Sequence, residues 1–114
     1  MKYVKCLGNE NWIAHPAGIA GVEMNILRSK NEAKYHESIA YVRISVGAAV
    51  PPHVHEHEDD NLLILEGKAM MRVGQERFAI GAGSQITVPE NVEHEIYEVT
   101  EEILIYDVFA PPIF

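Results

Sequence analysis

The chain has 114 residues, which suits one domain with one core, and 47% of them are hydrophobic, which excludes a disordered chain. The formal net charge of −8 argues against nucleic acid and anionic membrane surfaces, which select for basic patches. A single cysteine, Cys6, cannot close an internal disulfide, the start MKYVKCLGNENW has no apolar signal-peptide stretch, and no apolar run is long enough to span a bilayer, so a cytoplasmic protein with no membrane partner is expected.

Short alternating runs recur along the chain, broken by Gly, Pro and Asn, and no segment sustains a helical period. Residues 3–7 read as a first strand carrying Cys6 as a small apolar side chain, and residues 8–11 as a turn. After a second break at Pro16, Ala17 and Gly18, the alternation of Val22, Met24 and Ile26 with polar neighbours predicts a strand, and residues 29–36 read as a polar loop. Residues 39–46 predict a longer strand with Ala40, Val42, Ile44 and Val46 on one face and Tyr41, Arg43 and Ser45 on the other. Residues 47–52 form the next break. Residues 61–66 are nearly all apolar and read as a strand buried on both faces. Gly67 and Lys68 are expected to turn it into a returning strand, and Gly74 and Gln75 to make a tight hairpin into residues 76–80. Residues 85–88 end at a turn through Pro89, Glu90 and Asn91. Two final strands follow, at 92–99 and 102–110, separated by Thr100 and Glu101. Many short strands at this spacing predict an all-β sandwich or barrel, and without a linker the whole of 1–114 is expected to be one domain.

The densest chemistry lies just after Pro52. His53, His55 and His57 stand at every second position, followed closely by Glu58, Asp59 and Asp60. Side chains at i and i+2 of an extended chain share a face, so His53 and His55 can aim two imidazoles at one point. A carboxylate brought back by a turn can join them. A further histidine, His94, follows the turn at 89–91.

At this point the chain resembles the cupins, small β-barrels of jelly-roll type. Their first motif, G-x5-H-x-H-x(3–4)-E-x6-G, is met by Gly47, His53, His55 and Gly67, with Asp60 where the family has Glu. Their second, G-x5-P-x-G-x2-H-x3-N, is met by Gly83, Pro89 and His94, with Asn91 for the internal Gly and Glu98 for the final Asn. The resemblance implies an all-β cupin jelly-roll barrel with motif 1 at 47–67 and motif 2 at 83–98. It also implies the metal ligands His53, His55, Asp60 and His94. Asp is one methylene shorter than Glu, so Asp59 and Glu58 stay open as the carboxylate ligand. Three imidazoles and a carboxylate suit one divalent transition metal (Fe, Mn, Ni, Co or Zn) without selecting among them. His57 lies outside the motif and is a rim or substrate-binding candidate.

The stretch YDVFAPP at 106–112 resembles the D-x-F-x-P-P-R ending of small cupins that open unsaturated uronates. That resemblance implies Asp107 as a catalytic acid/base and Phe109 as a wall for the substrate. Ile113 stands where the family's carboxylate-binding Arg would be, and Arg43 is the candidate replacement if its face lines the barrel. The function expected is a metal-dependent enzyme acting on a small organic or sugar-like substrate by isomerisation, ring opening or elimination. Two alternatives are a non-haem iron dioxygenase and a non-catalytic small-molecule binding or sensing module. A homodimer is expected, with the apolar tail at 110–114 covering an open strand edge.

Overall fold

The computed structural model describes residues 3–8, 11–34 and 36–114. In chain order the elements are β1 (Ile13–Ala14), β2 (Val22–Arg28), α1 (Lys30–Ala33), β3 (Ser38–Ile44), β4 (Val50–His53), β5 (Asp59–Val73), β6 (Glu76–Gly81), β7 (Gln85–Val88) and β8 (His94–Ala110). The pairings are antiparallel, in the order β1-β2-β3-β8-β5-β6, with β4 also bonded to β8 and β7 to β5. This is the expected all-β jelly-roll. Among the described residues no helix is long and apolar enough to cross a membrane.

Alternation builds the core. Along β3, Ser38, Ala40, Val42 and Ile44 are buried and the residues between them are not, as the period-2 pattern requires. Ile44, Ile64, Met71, Ile103 and Ile105 are fully buried, each contributing roughly 1.5–3 kcal/mol of burial. The expected hairpin at Gly74 is present: Val73 pairs with Glu76 across two residues, and Gly74 takes φ 58°, which suits glycine.

Several expectations are corrected. Gly67 and Lys68 do not reverse the chain, and residues 59–73 form one continuous strand. Likewise residues 94–110 form one strand, so Thr100 and Glu101 do not separate two. The β5–β8 ladder runs from Asp59 opposite Ala110 to Val73 opposite His94, with register shifts between Ile64 and Met70. Gly67 adopts φ 99°, and its Cα lies so close to β8 that an added Cβ would stand 2.1 Å from the Glu102 carbonyl oxygen. Glycine here makes a bulge that bends a strand without ending it, and periodicity cannot tell these two apart. Residues 61–66 are buried on one face only: Leu62 and Ile64 are inside, whereas Leu63 and Leu65 are exposed. Residues 3–7 form no strand, and Cys6 is exposed. Of the expected turn at 8–11, Asn9 and Glu10 lie outside the described residues. The loop at 29–36 contains the single turn α1, where the Glu32 carboxylate accepts from the Ser29 amide and hydroxyl.

The bulge in β8 puts Glu98 at φ 48° and the preceding turn puts Asn91 at φ 62°. Asn tolerates this left-handed backbone, whereas Glu pays a Cβ–carbonyl clash of roughly 1–2 kcal/mol. Glu98→Asn is therefore expected to raise the urea midpoint by the equivalent of about 0.5–1 kcal/mol. An unchanged or lower midpoint would show that the bulge is unstrained.

Candidate metal centre

Two strands and the loop after one of them deliver the histidines. His53 ends β4 and lies directly opposite His94, the first residue of β8, so the two imidazoles are cross-strand neighbours. His55 follows two residues later, past the end of β4, and its carbonyl accepts from the Asn91 amide. The ring centroids are 4.9 Å apart for His53 and His55, 4.1 Å for His53 and His94, and 5.1 Å for His55 and His94. One ring nitrogen from each lies within 4.8 Å of the others. Arg72 anchors the segment around His94: its guanidinium donates to Glu93, Glu95 and the Gly74 carbonyl.

The hydrogen bonds define the tautomers. His53 Nδ1 donates to the Pro51 carbonyl at 2.8 Å and His94 Nδ1 to the Val92 carbonyl at 2.9 Å, leaving each Nε2 with a lone pair. Nε2 of His55 and of His94 are buried and have no hydrogen-bond partner among the described residues. Burial pushes the His55 and His94 imidazoles down to about 4, so both are neutral at pH 7, the state a metal ligand needs. Convergent, neutral, unpaired imidazole nitrogens fit a divalent metal.

The carboxylates sort themselves. Asp60, on β5 and buried, has Oδ2 at 3.9 Å from Nε2 of both His55 and His94. Asp59 faces away and accepts from the Glu90 amide at 3.0 Å. Asp107 is buried on β8 opposite Leu62, close enough to Asp60 for the two carboxyls to interact, and Oδ1 of each is buried without a hydrogen-bond partner among the described residues. Burial, reinforced by the Asp60 charge, raises Asp107 well above the usual carboxylate range, and burial raises Asp60 as well. Phe109, two residues on and on the same face, packs edge-on against His55 and against Phe114.

Two candidates lie elsewhere. His57 is 81% exposed beside Glu56, because the chain bends at residues 56–57 and the strand parity shared with His53 and His55 is lost. Arg43 is on the outer face of β3, paired with Glu23 at 2.9 Å and stacked over Trp12 at 4.0 Å. Its face does not line the cavity, so it is no replacement for the missing arginine. Of the tail at 110–114, Ala110 ends β8 opposite Asp59 and the rest turns toward the cavity. It folds inward, with the Ile113 amide donating to Ser38 Oγ and the Phe114 carbonyl accepting from the Lys30 amide.

Sequence reasoning missed His15. It lies just after β1, lines the same cavity and sits close enough to His53 for their charges to interact; burial is the main cause of its lowered imidazole. Its Nδ1 accepts from the Ala17 amide, so the proton sits on Nε2, opposite to the tautomer of His53 and His94. No local motif marks it, since its neighbourhood exists only in the folded chain.

Together these features define a class: a small jelly-roll barrel holding a three-histidine candidate metal site beside a buried carboxyl pair. The family model described as "Cupin domain" matches residues 40–109, and the chain belongs to that family. It is similar to an uncharacterized protein of Streptomyces coelicolor, 26% identical over 99 residues that cover 79% of this chain and 91% of the relative. Among solved structures it is similar to KdgF from a Halomonas species, with TM-score 0.74, 20% identity and coverage of 88% of this chain and 84% of that one. A predicted oxalate decarboxylase from Thermotoga maritima gives TM-score 0.76, 24% identity and coverage of 88% and 90%. Ectoine synthase from P. lautus gives TM-score 0.78, 16% identity and coverage of 92% and 72%. At these identities the structural likenesses carry the fold alone.

Proposed function

We propose that this chain is a metal-dependent enzyme that acts on a small organic molecule by isomerisation, ring opening or elimination, with residues 1–114 working as a single domain. The observation that carries the reading is a buried carboxyl pair, Asp60 and Asp107, set against three convergent imidazoles in one cavity, two of them with buried, unpaired Nε2 atoms. His53, His55 and His94 would hold the metal and Asp60 would be its carboxylate ligand. Bound there, a divalent ion supplies Lewis acidity. Asp107 then gives or takes a proton at the substrate through its carboxyl, and Asp60 orients it. Phe109 and Phe114 exclude water on one side. His15 presents Nε2–H as a donor.

Asp107→Asn keeps the shape but removes the acid. It is expected to retain metal and to lower turnover by roughly 10²–10⁴-fold, as loss of a general acid or base does. Turnover within threefold of wild type would remove Asp107 from the mechanism. The reading is tested first by assaying the metal-loaded protein against candidate substrates with and without oxygen. A non-haem iron dioxygenase is the second reading, favoured by the all-imidazole cluster; oxygen uptake that requires both Fe(II) and substrate would establish it in place of the first.

A cytosolic setting agrees with the single free cysteine, Cys6. We also propose a homodimer. Its support is the outer face of β5, where Leu63 and Leu65 are exposed and Leu63 stands opposite Tyr106. Light scattering is expected to give twice the chain mass, and Leu63→Lys with Leu65→Lys to give a monomer. A monomeric wild type would refute it.

A further inference from the structure

We infer that the cavity selects an apolar ligand carrying a compact metal-chelating head, and that it does not serve sugar acids; this rests on the metal-centre reading above. The cavity holds about 470 Å³, within the range of small-molecule sites. Its polar side chains are four histidines and two aspartates. His53, His55, His94, Asp60 and Asp107 form the connected cluster already described, and His15 stands beside it. Among the described residues, every other lining side chain is hydrocarbon, proline or thioether: Val42, Ile44, Leu62, Ile96 and Ile105 on the strands, with Met24 and Met71. The lining outside the sheet and the cluster adds only His15 as a polar side chain, since Pro16, Ala17 and Ile19 come from the N-terminal segment and Ile113 and Phe114 from the tail. No lysine, arginine, serine, threonine, asparagine or glutamine lines it among the described residues.

This composition decides the ligand's chemistry. A uronate would bring a carboxylate and several hydroxyls into a space where His15 is the one polar side chain outside the cluster among the described residues, and buried polar groups left unpaired are costly. Arg43 is held outside the cavity by Glu23 and Trp12, and the C-terminal segment contributes the apolar Ile113 and Phe114 to its lining. A ligand that gathers its oxygens at one end, within reach of the imidazoles and Asp107, and is hydrocarbon elsewhere leaves nothing unpaired. Met24 and Met71 add flexible, polarisable walls that adapt to irregular apolar shapes.

The test uses two hydroxamates with the same bidentate head. Zinc-loaded protein is titrated by calorimetry with acetohydroxamate and with hexanohydroxamate, which has four more methylenes. Burial of a methylene is worth about fourfold in affinity, so hexanohydroxamate is expected to bind at least ~50-fold tighter, and galacturonate no tighter than acetate. Equal affinity of the two hydroxamates, or galacturonate binding tighter than both, would overturn the inference and leave the metal centre standing. Failure of the protein to take up zinc would instead remove the metal-centre reading. The apolar part is then decided on metal-free protein carrying ¹³C-methyl methionine, titrated with n-hexanol. Shifts of the Met24 and Met71 methyls without a shift of Met70 support an apolar chamber, and no shift of either overturns it.

Discussion

Replacing His94 with alanine is expected to reduce bound metal from about one ion per chain to near zero, as read by elemental analysis of anaerobically purified protein. The imidazole is 3% exposed, its Nδ1 is committed to the Val92 carbonyl, and its Nε2 has no hydrogen-bond partner among the described residues. Loss of an outer-shell partner of a metal site typically costs 10–100-fold in affinity, so loss of one of three imidazole ligands is expected to cost at least ~100-fold. His57→Ala is the matched control: that ring is 81% exposed and the variant is expected to keep its metal. The chain should remain folded without His94, because the ring is neutral and no buried charge is stranded. Metal content unchanged in His94→Ala, with both proteins folded, would show that the cluster is not the binding site.

Gly67→Ala is expected to be the most damaging single-methyl addition in the barrel. The new Cβ would stand 2.1 Å from the Glu102 oxygen, 2.7 Å from its carbonyl carbon and 2.8 Å from Ile103 Cα, all backbone atoms of the ladder's other strand. These cannot rotate aside, so β5 and β8 must separate where they cross the bulge. A loss on the order of 3–5 kcal/mol is expected, a large part of the 5–15 kcal/mol that holds a typical domain together. Gly83→Ala separates the causes. Gly83 has φ 91° but open space around its Cα, so it should show only backbone strain, on the order of 1–2 kcal/mol. Similar urea midpoints for the two variants would mean that the Gly67 contact relaxes easily.

What could be read from the chain divides along physical lines. The histidine cluster was legible because its information is local: a two-residue spacing in extended chain, plus a turn that starts the strand bearing His94. The buried face of β3 was legible for the same reason, through Ala40, Val42 and Ile44. Where a second strand was needed, legibility failed. Arg43 and Val42 alternate, and parity separates their faces without saying which is inside; the pairing of β3 with β8 decides it. Gly67 signals special backbone, but whether that backbone turns or bulges depends on β8 approaching it. Leu63 and Leu65 looked buried because hydrophobicity does not record the missing partner sheet. His15 carried no signal at all. The capping pair of α1 was there to be read, since Ser29 and Glu32 stand three apart, yet one turn is too short for a helical period to show.

The continuous β5–β8 ladder assigns chemistry and selectivity to different parts of the chain. His94, Asp60 and Asp107 all ride on that ladder, where inserting or deleting one residue would flip every later side chain across the sheet. Part of the cavity lining comes from irregular segments, Pro16 and Ala17 near one end of the chain and Ile113 and Phe114 near the other. Neither segment is constrained by ladder register. Edits in those two segments can therefore change what lines the cavity without shifting the register that sets His94, Asp60 and Asp107.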